Sequence, residues 1–190
     1  MKFCFYCCVL GIAVFATGVH AEPTARVGAS YYYIKGGSAL VLSAQMDQKG
    51  PTGVDGKRHP ARTKWDVQWR FRHNMHDGVC KMEKVSVKVG VTTVRPRWRE
   101  KAQGQKKLRA RWEKLLKAID LNEAYHQKQA LDAGKNIEAA LNSLDLVKSC
   151  DELTKIANQV ATEILGKHQQ ESRDYDLEND NGRKNGVSLI

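Results

Sequence analysis

The segment Leu108–His126 reads LRARWEKLLKAIDLNEAYH, and the predicted fold is organised around it. Its apolar residues recur at spacings of three and four, which predicts an α-helix with one buried stripe. The same register brings Glu123 and His126 onto the buried face. Each of these side chains then needs a partner, because unpaired burial of a polar group costs several kcal/mol. The stripe consists of Leu108, Trp112, Leu115, Leu116 and Ile119.

The end of this helix carries a motif-like spacing. Asn122–His126 reads NEAYH, which has the spacing of the zinc-peptidase motif H-E-x-x-H with Asn in place of the first His. Without further context, His126 is most simply a buried histidine that is hydrogen-bonded to a neighbour. The spacing alone therefore leaves its role open.

The length of 190 residues, with 42% hydrophobic residues, is enough for one domain with a core. The first 21 residues have the pattern of a signal peptide: Lys2, an apolar run over Phe3–Ala16, and a small-x-small cleavage site that ends at Ala21. The run is too short to span a bilayer. We therefore expect a secreted or periplasmic protein with no membrane span, whose single domain occupies residues 22–190.

The expected mature chain keeps two cysteines, Cys80 and Cys150. Two cysteines in an oxidising compartment suggest one disulfide. The alternative is a pair of buried free thiols, which export makes the weaker interpretation.

Hydrophobic patterning predicts strands first and helices afterwards. The alternation over Trp65, Val67, Trp69 and Phe71 predicts a half-buried strand, and the valines over Val85–Val91 predict its antiparallel neighbour after a turn at residues 76–78. A short aromatic strand and a brief helix from Ser38 precede them, and Pro96 is expected to end the second long strand.

The second half of the chain is predicted to be helical. The motif helix continues beyond His126 with a bend or break expected at Gly134. A capping box at Ser149–Glu152 begins a last helix toward Gln170, followed by a polar, turn-like tail from Tyr175. The predicted fold class is α+β, with a small antiparallel sheet followed by packed helices that include the motif helix.

An ordered set of short motifs resembles a family of secreted zinc-dependent proteases. The resemblance covers roughly residues 31–187. Its pieces are Tyr31-Tyr32-x-Ile34-x-Gly36, Gly50-Pro51, Asp55-Gly56, Thr63-x-Trp65-x-Val67-x-Trp69, Cys80, Pro96-x-Trp98, Trp112, the N-E-x-x-H segment, Ser149-Cys150-Asp151, Tyr175-Asp176 and Asn181-Gly182.

This resemblance implies a zincin-like fold and a zinc site. Glu123 matches the general base and His126 matches one zinc ligand. Asn122 and Asn181 stand at the positions of two other ligand histidines, and Glu178 stands where the family's tail motif Y-D-x-x-T-x-H-G has Thr. An Asn offers an amide oxygen, which suits harder cations than zinc.

We therefore expect a metallopeptidase-like fold whose metal site is degenerate and whose peptidase activity is lost or severely weakened. If any metal is bound, the resemblance implies zinc. The alternative is an active peptidase in which residues on or after the last helix replace the missing zinc ligands. A solvated acidic tail is the simpler interpretation of those residues. The candidate substitutes are His168, Asp174, Asp176, Glu178 and Asp180.

A second alternative is a basic binding module. The segment Arg95–Lys117 holds ten basic residues against two acidic ones, with Trp98 and Trp112 among them. Such a field attracts anionic envelope polymers or acidic proteins. A solvated basic helix face with Trp112 in the core is the simpler interpretation, and the absence of a nucleic-acid motif argues against a specific nucleic-acid partner.

Overall fold

The computed structural model describes residues 22–190, so the expected signal peptide lies outside the described residues. Within this range the chain forms an α+β fold with a mixed sheet and three α-helices. The strands are β1 (Thr24–Ile34), β2 (Arg62–His76) and β3 (Val79–Trp98). The helices are α1 (Ala39–Lys49), α2 (Lys106–Asn142) and α3 (Cys150–Glu178).

The strands β2 and β3 form the predicted antiparallel hairpin. Asp77 and Gly78 connect them with φ angles of 49° and 79°. A two-residue turn of this kind matches the twist of the flanking strands and favours Asp-Gly.

The first strand corrects the expectation of an antiparallel sheet. β1 pairs with β3 in parallel, from Thr24 opposite Lys88 to Ile34 opposite Trp98, so the sheet is mixed with the order β1-β3-β2. Parallel pairing requires a long crossover connection. Here α1 and the whole of β2 lie between the two paired strands, which gives the chain room to return in the same direction.

The prediction that Pro96 ends the second long strand was wrong. β2 pairs with β3 only as far as Arg62 opposite Val94, and beyond that point β3 is bonded to β1 alone. The backbone N–H of Arg99 donates to the Ile34 carbonyl. By strand alternation, Pro96 therefore faces the side that β2 has left, where no ladder hydrogen bond is lost.

The helix α2 runs unbroken through Gly134, so the break expected there as one possibility is absent. A Cβ at this position would collide with the Cγ2 atom of Val89 on the sheet. Gly134 therefore allows close contact between helix and sheet. The helix α3 also continues further than predicted, so Tyr175 and Asp176 are helical and the turn begins after Glu178.

The predicted inward-facing residues form the core between the sheet and the two long helices. Val87, Val89 and Val91 are buried against α2 and α3, as the alternation predicted. A second cluster surrounds Trp98 and Trp112, whose rings meet edge to face at 5.9 Å. Both tryptophans are buried in the core.

The predicted disulfide is present between Cys80 and Cys150, with a Cα–Cα distance of 5.2 Å. It joins the beginning of β3 to the first residue of α3. Across residues 22–190, no helix is long and apolar enough to cross a membrane.

Candidate functional site

The residues that the sequence singled out line one cavity. It has a volume of about 500 Å³ and lies between α2, α3, the first residues of β2 and the loop that precedes them. Asn122, Glu123 and His126 reach it from α2, while Asn181 reaches it from the turn after α3. The cavity thus unites all four predicted site positions.

His126 is held through both ring nitrogens. Its Nδ1 lies 2.7 Å from the hydroxyl oxygen of Ser172, and its Nε2 lies 3.0 Å from Oδ1 of Asp176. Ser172 and Asp176 are four residues apart on α3, so one face of that helix supplies both partners. The imidazole is buried, which makes these two contacts the basis of its orientation.

Two tyrosines fix the same ring from the side. Tyr125 of α2 and Tyr175 of α3 stack at 3.9 Å with nearly parallel planes. Both rings meet His126 edge to face, at 6.0 Å and 5.7 Å. Such aromatic pairs contribute about 0.5–1.5 kcal/mol beyond their buried area. Each tyrosine precedes a site residue in sequence, so the pair aligns α2 and α3 at the cavity.

Glu123 lies beside His126 on the inner wall of the cavity. Burial raises the pKa of its carboxyl group, while the nearby His126 and hydrogen bonds with Thr63 and Asn122 act in the opposite direction. A raised pKa makes a carboxyl group suitable for proton transfer near neutral pH. The buried carboxyl group therefore holds its proton more strongly than an exposed glutamate does.

A tight turn after α3 brings Asn181 to the cavity. Asn181 has a φ of 50° and Gly182 a φ of 81°. A Cβ on Gly182 would lie 2.8 Å from Oδ1 of Asn122 and 2.7 Å from a methyl carbon of Val187. Glycine is therefore required here both for the backbone conformation and for the close approach of the turn to α2.

Of the proposed substitute ligands, Asp176 lines the cavity. His168 is buried elsewhere on α3, where Gln129 and Asn136 contact its two ring nitrogens at 2.6 Å and 3.0 Å. Asp180 lines a neighbouring cavity of about 450 Å³. The substitute set therefore does not assemble around His126 as a group.

Sequence reasoning missed several residues of the cavity. Ser172 belongs to no motif, although its spacing from Asp176 on one helix is a signal that they share a face. His59 also lines the cavity, and its Nε2 lies 3.0 Å from Oδ1 of Asp55. Hydrogen bonding to His59 lowers the pKa of Asp55.

The zinc that the resemblance implies does not fit these residues. Both ring nitrogens of His126 already contact Ser172 and Asp176. Asn122 and Asn181 stand at the two positions where the resemblance implies histidine ligands. Within residues 22–190, the His, Cys, Asp and Glu side chains close enough to share an ion are His73, Cys80 and Cys150. The two cysteines of that group form the disulfide, so their sulfur atoms are not available as thiolate ligands.

The basic segment Arg95–Lys117 is partly neutralised by its surroundings. Arg95 pairs with Asp120 at 2.6 Å, and Lys101 pairs with Glu113. The guanidinium groups of Arg97 and Arg99 stack over Tyr31 and Tyr33 of β1. These contacts engage four of the ten basic residues of the segment, and both tryptophans are buried in the core.

The fold and cavity define an α+β protein with a buried polar site between two long helices and a mixed sheet. The chain belongs to the family described as bacterial protein of unknown function (DUF922), whose model matches residues 29–183. No curated protein and no solved structure was found to match it. The matched range includes the site residues Asn122, Glu123, His126, Ser172, Asp176 and Asn181.

Proposed function

We propose that this is an exported, zincin-like protein that has lost its zinc site and acts by binding rather than by peptide hydrolysis. The observation that carries the proposal is the double engagement of His126 by Ser172 and Asp176. A zinc ligand needs a free ring nitrogen, and a zinc-bound water needs three good ligands to reach a pKa near ~7. Glu123 then has no activated water to deprotonate.

The amide side chains support the same conclusion. Asn122 and Asn181 line the cavity at the two positions where the resemblance implies histidines. Each asparagine side chain presents an amide oxygen and an amide nitrogen. Neither atom is a good ligand for zinc, which prefers imidazole nitrogen or thiolate sulfur. We infer that the cavity of about 500 Å³ binds a molecule other than zinc.

The alternative is an active secreted peptidase in which Asp176 serves as a substitute ligand. Its carboxylate lies in the cavity next to Nε2 of His126. For both side chains to bind one ion, their present contact must break and the carboxylate must rotate. Stoichiometric zinc in the natural protein would favour this alternative.

The first experiment is therefore a measurement of zinc content and zinc affinity on residues 22–190. We expect the natural protein to hold no stoichiometric zinc. We expect an Asn122→His, Asn181→His double variant to bind about one equivalent, since it restores the H-E-x-x-H spacing. Histidine tolerates the positive φ of position 181 better than most residues.

The control is Asn142→His, which adds an imidazole at an exposed position at the end of α2, outside the cavity. It should leave zinc binding at the level of the natural protein. Zinc held tightly by the natural protein and lost on His126→Ala would overturn the proposal and make peptidase assays the next step.

A further inference from the structure

Two buried oxygen atoms at the site lack partners. Oδ1 of Asn122 and Oε2 of Glu123 form no hydrogen bond with any residue that the structure describes. Their side chains are only 4% and 5% exposed, and both line the cavity. Leaving a buried polar atom unsatisfied costs about 1–3 kcal/mol. A ligand that donates hydrogen bonds would satisfy two such atoms on adjacent residues.

The cavity also presents two carboxylates. Glu123 and Asp176 both line it, beside the basic residues Arg62, Lys64 and Arg173. Arg62 donates to the backbone carbonyl of Thr52. Arg173 donates through Nε and Nη2 to the side-chain oxygen of Gln170. A cationic ligand would therefore meet carboxylates whose neighbouring arginines are engaged elsewhere.

The spread of these groups distinguishes an organic cation from a metal ion. His126, Glu123 and Asp176 do not bring three ligand atoms within 4.8 Å of one another, judged over residues 22–190. A single ion needs ligands at one point. A guanidinium group spreads five N–H donors over a planar fork and so can reach acceptors that lie apart.

Trp65 supplies a further feature of the wall. This residue of β2 is half-buried and lines the cavity. Guanidinium groups stack on tryptophan faces, with an attraction of about 0.5–2 kcal/mol. An ammonium group could use the carboxylates, but only the planar cation also uses a stacking surface and several separated acceptors.

We propose that the cavity binds a guanidinium group, as carried by free arginine or by an arginine side chain of a peptide. Glu123 and Asp176 supply the charge, the amide oxygen of Asn122 accepts a further N–H, and Trp65 covers the plane of the cation. The inference rests on the proposed binding function, because it requires a cavity that holds a ligand without a metal.

The test is calorimetric titration of residues 22–190 with N-acetyl-arginine amide and with N-acetyl-citrulline amide. Citrulline has nearly the same shape but no charge. We expect the arginine compound to bind at least about tenfold more tightly, which corresponds to about 1.4 kcal/mol. Free arginine and an arginine-containing tripeptide, measured beside it, distinguish the two sources of the group.

Two variants locate the binding site. Glu123→Gln should weaken binding of the arginine compound by at least about tenfold, because it removes the buried charge while keeping the shape. Glu83→Gln is the matched control at an exposed position on β3 and should leave binding unchanged. Circular dichroism of both variants shows whether the fold is intact.

Equal binding of arginine and citrulline compounds, or binding that Glu123→Gln leaves unchanged, would overturn the inference. So would calcium or magnesium binding that excludes the arginine compound. The zinc measurement separates this failure from that of the proposed function. A protein that binds neither zinc nor arginine refutes the guanidinium site alone, whereas tight zinc refutes the loss of the metal site.

Discussion

At the scale of single residues, the chemistry of the site depends on how Glu123 is buried. Its carboxyl group lies beneath the cavity surface, with Thr63 and Asn122 as hydrogen-bonding neighbours. The cost of removing the charged form from water is only partly offset by these contacts and by His126. The folded protein therefore holds the Glu123 proton more strongly than the unfolded chain does.

This burial predicts a pH-dependent effect of Glu123→Gln on stability. As pH rises from the ordinary pKa of 4.5 toward the raised value, the folded natural protein keeps a proton that the unfolded chain has lost. Its free energy of unfolding therefore falls over this window relative to that of the variant. We expect the variant to gain stability, compared with the natural protein, as pH rises above the ordinary pKa of 4.5.

Urea denaturation at a series of pH values measures this difference. Glu83→Gln, on the exposed surface of β3, should show no comparable dependence. A constant difference between the Glu123 variant and the natural protein at all pH values would contradict a raised pKa in the folded state.

The sequence predicted one half of this site and not the other. Glu123 and His126 were placed inward because the apolar stripe of α2 continues to them, and helical register is a local property. Ser172 and Asp176 come from another helix, and their contact with His126 depends on how α2 and α3 pack. No local pattern determines that packing, so the partners of His126 appear only in three dimensions.

At the scale of elements, two glycines inside helices serve different purposes. Gly134 of α2 lies against Val89, where a Cβ would collide with the sheet. Gly166 of α3 has nothing within 4 Å of the position that a Cβ would occupy. The first glycine sets the distance between helix and sheet, whereas the second only weakens its helix.

Alanine substitutions at these glycines should therefore have opposite effects. Gly166→Ala should stabilise the protein by about 0.5–1 kcal/mol through helix propensity. Gly134→Ala should destabilise it by about 1 kcal/mol or more, because the strain of overpacking exceeds the same gain and Val89 is stiff at its branched Cβ. Thermal and urea unfolding of the two variants measures both changes. Stabilisation by Gly134→Ala would show that the sheet yields to the extra methyl group.

The elements themselves were largely predictable, but their pairing was less so. Alternation identified β2 and β3, and the Asp77-Gly78 turn joined them as neighbours. The direction of β1 was not encoded in its own residues, because parallel and antiparallel strands share the same side-chain alternation. Its parallel pairing follows from the path of the chain through α1 and β2.

At the scale of the whole molecule, the disulfide and the cavity lie far apart. Cys150 begins α3 and Asp176 is near its end, in a helix of 29 residues. The axial separation is therefore about 40 Å at 1.5 Å per residue. The covalent link therefore lies at the end of the molecule that does not contain the site.

Removal of the disulfide should lower the stability of the whole domain. The bond closes a loop with a sequence separation of 70, for which chain entropy predicts roughly 4 kcal/mol. We expect a Cys80→Ala, Cys150→Ala variant to lose about this amount in urea denaturation. The natural protein with reductant should behave in the same way, and a loss below about 1 kcal/mol would contradict the estimate.

The parallel pairing of β1 also determines the order in which the chain assembles. β2 and β3 are adjacent in sequence and form a hairpin, a step that takes about 1–10 μs. β1 is synthesised before either strand, yet Thr24 pairs with Lys88 far along the chain. Closing so long a loop delays the contact. Of the three described strands, β1 is therefore expected to join the sheet last, and until then the β1 side of β3 is open to other strands.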